Sequence, residues 1–263
     1  PGPRRPAGAS PEPDRCYVVA VNHLALVSLE LIAGSFTLMW LTMFLWKIVD
    51  RGYYRSTTWV LFPLTLALAF TFPPGLRPVG WAFGILQACF LAAVYSQRPL
   101  LEWATGATAT AAGAWLVWRG GILSCPGGCT DGAVQALVGA VFLGSVTNGM
   151  ILGHWYLNQA RLPIEPLKQA TRIMLGGIAL SLVAGVADRG SLASGVVPGG
   201  FVAMSASSYW WAWLALTVGT GILGFAVRET VRTRSTQSAT GLLYIAMLTA
   251  MVGQFIVTRL VAT

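Results

Sequence analysis

Charge is what this sequence lacks. Of 263 residues, 17 are Lys or Arg and 9 are Asp or Glu, which makes 10% charged. A soluble domain carries about 25% charged residues, so this chain has too few ionic groups to cover a water-facing surface. Histidine is nearly absent too, with only His23 and His154. They leave no nucleophile–His–acid set and no zinc motif of the hydrolase kind. The four cysteines, Cys16, Cys89, Cys125 and Cys129, have neither the CxxCH of an attached c-type haem nor an iron–sulfur spacing. No soluble-type internal repeat stands out either.

Apolar residues are abundant, at 55% of the chain. They fall into blocks of about 20, the length that crosses a hydrocarbon core of about 30 Å. Eight blocks can be drawn, near 17–46, 57–73, 79–96, 101–118, 132–159, 169–187, 209–227 and 236–258. Strands of a membrane barrel show about ten residues of alternating polarity, whereas these blocks are continuous and longer. A lipid-facing backbone must close its own hydrogen bonds, so helices are expected. The predicted fold is all-α, a polytopic transmembrane bundle of about eight helices forming one domain over 16–263. Residues 1–15, rich in proline and polar groups, read as a disordered or extended arm without the apolar core of a signal peptide.

The basic residues alternate with the segments. Loops after the first, third, fifth and seventh blocks hold Lys47, Arg51, Arg55, Arg98, Arg161, Lys168, Arg172, Arg228, Arg232 and Arg234; those after the second, fourth and sixth hold Arg77, Arg119 and Arg189. Basic loops stay cytoplasmic, so both termini are predicted on the non-cytoplasmic side of a prokaryotic inner or plasma membrane. The net charge of +8 is then explained by topology and anionic headgroups, with membrane lipid and not nucleic acid as the partner. Tyr209, Trp210, Trp211 and Trp213, with Trp115 and Trp118, fall at the predicted outer interface, and Trp40 and Trp46 at the inner one, as an aromatic belt would. Gly139, Gly144 and Gly149, and Gly219, Gly221 and Gly224, read as small faces for close helix packing.

Several polar residues stand out against this background. Cys125-Pro-Gly-Gly-Cys129 lies in a predicted outer loop whose turn residues bring the sulfurs together; a disulfide is the leading reading, with free thiols and a redox or metal pair behind it. Cys89 reads as packing. In VNHLALVSLELIAG, His23 and Glu30 are seven residues apart and share a helix face about 10 Å apart. A carboxyl at that depth must be protonated or find a donor, so Glu30 is a candidate for a proton path or a quinol-binding edge, against the alternative of a neutral tie between helices. In VTNGMILGHWYLNQARLPI, Thr147, Asn148, His154, Trp155 and Asn158 form a predicted polar stripe that ends at Arg161 and faces the bundle interior, a cavity or a partner. His, Asn, Trp and Arg can donate to quinone carbonyls beside an apolar trough; helix-to-helix hydrogen bonding is the competing reading. A haem b between His23 and His154 ranks below quinone, because parallel helices place the two near opposite membrane faces. Gln87 and Gln254 read as packing contacts.

The last segment, STQSATGLLYIAMLTAMVGQFIVTRL, with Thr240-Gly241-Leu242-Leu243-Tyr244 near its start and Arg259 at its end, resembles the quinol-interacting polytopic membrane subunits of polysulfide- and DMSO-reductase-type respiratory complexes. The resemblance covers about a tenth of the chain, and no site residue is carried over from that family. It implies a subunit of a respiratory or photosynthetic electron-transfer complex that anchors redox partners and binds quinone, with the catalytic centre in other subunits. Two alternatives stand beside it: a proton- or ion-coupled transporter or channel, supported by Glu30, and a cofactor-free assembly subunit.

Overall fold

The computed structural model describes residues 22–45, 49–125, 129–159, 162–192 and 205–261. The arm, Cys16, Trp46, Lys47 and Arg161 lie outside them. Eight long helices account for most of the described residues: α1 (His23–Leu45), α2 (Arg51–Ala69), α3 (Arg77–Ser96), α4 (Pro99–Ser124), α5 (Thr130–Asn158), α6 (Glu165–Ala187), α8 (Ala206–Arg232) and α9 (Thr236–Val261). A single turn, α7 (Arg189–Leu192), follows α6.

Local chemistry sets many of the ends. Asn22 Oδ1 accepts from the Leu24 N–H at 3.0 Å, and Ser205 Oγ accepts from Ser208 N–H at 3.3 Å; both satisfy otherwise orphan donors of a first turn. Pro78, Pro99 and Pro166 occupy the first turns of α3, α4 and α6, where a missing N–H does no harm. Gln97 takes a left-handed φ of 56° and turns the chain directly from α3 into α4.

Six of the long helices, α1, α3, α5, α6, α8 and α9, are long and apolar enough to cross a membrane. The other two belong to the same bundle but are less apolar; α2 carries Arg51 and Arg55, and α4 carries Glu102 and Arg119. α2 begins six residues before the apolar block at 57–73, taking Arg51 and Arg55 into the helix. They are tolerated there because Arg51 pairs with Glu102 of α4 at 2.6 Å and Arg55 lies 4.4 Å over the Tyr95 ring. α4 runs past the end of the apolar block at 101–118, through Gly120 and Gly121 to Ser124. Those glycines stay helical because Gly121 lies directly against Gly132 and Ala133 of α5. Along α6, α8 and α9, Val183, Ile222 and Leu248 are each about two-thirds exposed. Large apolar side chains turned outward on neighbouring helices suit a lipid-facing surface. The molecule is an integral membrane helix bundle.

The helices run up and down. Gly84 of α3 meets Leu66 of α2, Gly113 of α4 meets Phe83 of α3 and Ala33 of α1, and Gly224 of α8 meets Met174 and Leu175 of α6. α5 is the central helix, packed against α1, α4, α6 and α9. It runs parallel to α1, because Glu30 lies level with Gly139 and Gly34 with Ala140 and Gly144. It runs antiparallel to α9, because Gly139 meets Gln254 and Gly153 meets Thr240. One end of the bundle therefore carries the start of α1, the Cys125–Cys129 disulfide and the end of α9. The opposite end carries the α5–α6 and α8–α9 connections.

The small-residue reading holds in part. Gly34 and Gly144 bring the α1 and α5 backbones into contact, while Gly219 faces open space. The belt reading also splits. Trp211 and Trp115 are exposed, but Trp213 is buried against Gly185, and buried Trp210 donates its indole N–H to the Gly185 carbonyl at 3.1 Å. Cys89 is exposed on α3 instead of packed inside.

The contact between α1 and α5 can be tested. A Cβ at Gly34 would sit 1.8 Å from the Ala140 carbonyl oxygen, whereas one at Gly219 would meet nothing within 4 Å. Gly34→Ala is expected to destabilise the purified protein by about 1–3 kcal/mol through overpacking. Gly219→Ala should leave the thermal midpoint unchanged or raise it, since alanine is the better helix former. Equal midpoints for the two variants would show that the backbones do not meet at Gly34.

Candidate functional site

Polar side chains gather in three places, and the helix register explains each. The first lies about one-third of the way in from the disulfide end. Glu30 of α1 is fully buried, and its carboxyl sits over Gly139 of α5 beside the Gln254 amide of α9. The two groups approach closely enough for the amide to act on the carboxyl, and no third side chain among the described residues bonds either of them. Gln135, Ser124 and Thr258 join them in lining a cavity of about 10 Å³, with Leu26, Ala136 and Val261 beside them. That is about the room one water needs, and a polar lining is the condition for a water to stay. Glycine at 139 makes this possible, because any side chain there would occupy the space of the Gln254 amide. A buried carboxyl ringed by amides and hydroxyls can take up and release a proton, or tie three helices together. His23 is half-buried above it, near Arg259 of α9, so both predicted residues of α1 face the same neighbouring helix.

The second place is the core nearer the opposite end. Buried Tyr53 of α2 donates its hydroxyl to the side-chain carbonyl of buried Asn148 on α5. Trp155 packs edge-on to Tyr53, with ring centroids 6.3 Å apart. Thr147 is also buried, its hydroxyl 3.1 Å from Met247 Sδ of α9.

The third place is the outer surface of the same region. His154 is exposed, and its Nδ1 lies 3.3 Å from the Tyr244 hydroxyl of α9. Asn158 is exposed one turn further on. Tyr244, Leu248, Val252 and Phe255 are all exposed along α9; the spacing puts them on one helix face, an apolar track that leads away from the His–Tyr pair.

The single polar stripe expected on α5 is therefore divided. Thr147 and Asn148 are buried, whereas His154 and Asn158 are exposed. Arg161 falls outside the described residues. The two histidines lie at opposite ends, as the parallel helices require. His23 is 11 residues before Gly34, and His154 is 10 residues after Gly144, which faces Gly34. At about 1.5 Å per residue they stand about 30 Å apart along the bundle, too far to ligate one haem within this chain.

Sequence reasoning did not single out Tyr53, Gln135 or Glu102, and it treated Gln254 as packing. A lone polar residue in an apolar block has no visible partner until the helices are placed. Gln87 behaves as expected: it accepts from the Thr65 hydroxyl at 2.8 Å and ties α3 to α2. Cys125 and Cys129 are joined, with Cα atoms 5.7 Å apart.

Tyr53 and Tyr54 provide an internal comparison. Tyr53→Phe leaves the Asn148 side-chain carbonyl buried without its donor and should cost about 1–3 kcal/mol in an unfolding measurement. The Tyr54 hydroxyl is buried with no hydrogen-bond partner among the described residues, so Tyr54→Phe should be neutral or stabilising. A greater loss for Tyr54→Phe than for Tyr53→Phe would overturn this assignment.

Compared with known proteins, the chain matches no family model, no curated protein and no solved structure.

Proposed function

We propose that this chain is the membrane subunit of a respiratory or photosynthetic electron-transfer complex, anchoring redox partners and presenting a quinone headgroup site at its lipid-facing surface. One observation carries the reading. His154 and Tyr244, two groups able to donate to or accept from a quinone carbonyl, meet on the outside of the bundle at the head of an exposed apolar track. Quinones reach their sites through the bilayer, and a lipid-facing site needs no channel through the protein. Asn158 follows one turn along α5, Trp155 is the next residue after His154 but turns inward to Tyr53, and Arg161 follows in sequence. The same end carries most of the basic residues, which supports reading it as the cytoplasmic end in a prokaryotic membrane and offers a cationic surface to soluble partners. The disulfide end then faces the oxidising side, where such bonds persist, and both termini are non-cytoplasmic. Electron-transfer chemistry beyond the headgroup contact belongs to the partners in this reading.

A second reading has its own observation. Glu30 is a fully buried carboxyl beside a water-sized polar cavity, which suits proton- or ion-coupled transport. In the quinone reading the same carboxyl serves proton exchange toward the disulfide face.

Titrating a short-tailed ubiquinone or menaquinone analogue into the purified protein should quench the fluorescence of Trp155, isolated as the difference from Trp155→Phe. His154→Ala and Tyr244→Phe should each weaken binding about five- to tenfold, the worth of one hydrogen bond. Saturable quenching unchanged in both variants would move the site elsewhere, and no quenching at all would sink the quinone reading. Glu30→Gln separates the two readings: it should leave quinone affinity within about twofold, since a site at the other end shares no contact with it. Proton-coupled uptake by the isolated chain in vesicles, lost in Glu30→Gln, would favour the transporter.

A further inference from the structure

We infer that the bundle carries a binding site for a phosphate-bearing anion between the first turns of α6 and the last turns of α8. The two helices are antiparallel, with Gly224 against Met174 and Leu175. Extending that register puts Arg172 level with Arg228, and Lys168 level with Arg232. These two rungs of paired cations are about 6 Å apart along the helices, one turn. All four side chains line one cavity of about 250 Å³, floored by buried Thr171 and Val231.

The charge pattern separates this site from an ordinary basic rim. Two of the cations have carboxylate neighbours on their own helix: Arg232 with Glu229 at 3.0 Å, and Lys168 with Glu165 at a loose 3.8 Å. Among the described residues, Arg172 and Arg228 have none. Two arginines on different helices therefore face one cavity with their charge uncompensated, and they repel each other there. An anion removes that repulsion. Arginine's fork of donors matches the oxygens of a phosphate. The second rung and the cavity volume leave room for a second phosphate group. The rungs lie at helix ends beside exposed apolar surface, where Ile222 and Phe225 of α8 face outward. A lipid headgroup entering from the bilayer and a soluble phosphate compound entering from water share this recognition chemistry.

The experiment uses the full chain purified in a neutral detergent. Its thermal midpoint is followed on adding cardiolipin, phosphatidylglycerol or phosphatidylcholine, and separately inorganic pyrophosphate. The expected result is a concentration-dependent rise with an anionic phosphate compound and none with phosphatidylcholine. Arg172→Gln with Arg228→Gln should weaken the response about thirtyfold, at about fivefold per cationic group near a lipid surface. Lys168→Gln with Arg232→Gln provides a second variant should the first fail to fold. Arg77→Gln with Arg119→Gln, at the other end, should respond as wild type. A rise with lipid that pyrophosphate does not compete away identifies a headgroup site; a rise with pyrophosphate alone identifies a soluble ligand. No rise with any anion, or an equal rise in the Arg172 and Arg228 variant, overturns the site.

Discussion

Helices α1 and α5 touch through their backbones at Gly34, Ala140 and Gly144, with no side chain between them. In lipid the hydrophobic effect does not draw apolar helices together, so association rests on close packing and on hydrogen bonds between helices. This contact supplies the packing and sets the register of the rest. With α1 held against α5, Glu30 falls over Gly139, where only a glycine leaves room for the Gln254 amide of α9. α4 closes on the same pair through Gly113 and Gly121, and α6 through Gly177 against Ser145.

The packing also sorts the polar groups. Those drawn into the centre bond across helices, as Tyr53 does with Asn148, Thr65 with Gln87, and Thr220 with Thr249. Each such bond satisfies groups that lipid would leave bare. Arg51 and Glu102 do the same as a charged pair at the end of α2 and α4. Several buried groups depart from this pattern, among them the hydroxyls of Ser35, Tyr54 and Ser181, which have no hydrogen-bond partner among the described residues. Two departures carry chemistry of their own: Glu30 and Gln254 meet beside a small cavity, and His154 and Tyr244 meet on the outer surface. Departures of that kind are where function is sought first. These two lie toward opposite ends of the bundle, so any function that couples them must act across the membrane.

Charge is asymmetric along the same axis. The disulfide end holds few cations, while the opposite end holds the Arg51–Glu102 pair, Arg55 over Tyr95, and the two rungs between α6 and α8. The His154–Tyr244 pair sits at that cationic end, on a different face of the bundle from the rungs, since α9 covers one and α6 and α8 frame the other. A headgroup in one place and a quinone in the other would not compete.

The sequence by itself determined the membrane class, the number of long helices and their alternation. Those depend on the length and composition of continuous apolar blocks, properties of each segment alone. It also favoured pairing Cys125 with Cys129, because the three turn-forming residues between them bring the sulfurs together locally. Helix ends were harder to read. Arg51 and Arg55 look like loop residues until Glu102 and Tyr95 are found beside them, and Gly120 and Gly121 look like a turn until α5 is placed against them. Rotation about each helix axis was not legible either, because an apolar segment surrounded by lipid and protein alike shows no amphipathic face to read. Only the tertiary structure decided that Asn148 points in and His154 out, that Trp213 is core and Trp211 is surface, and that Glu30 meets Gln254. The partners in each case lie on other helices, at distances in sequence that no local pattern records.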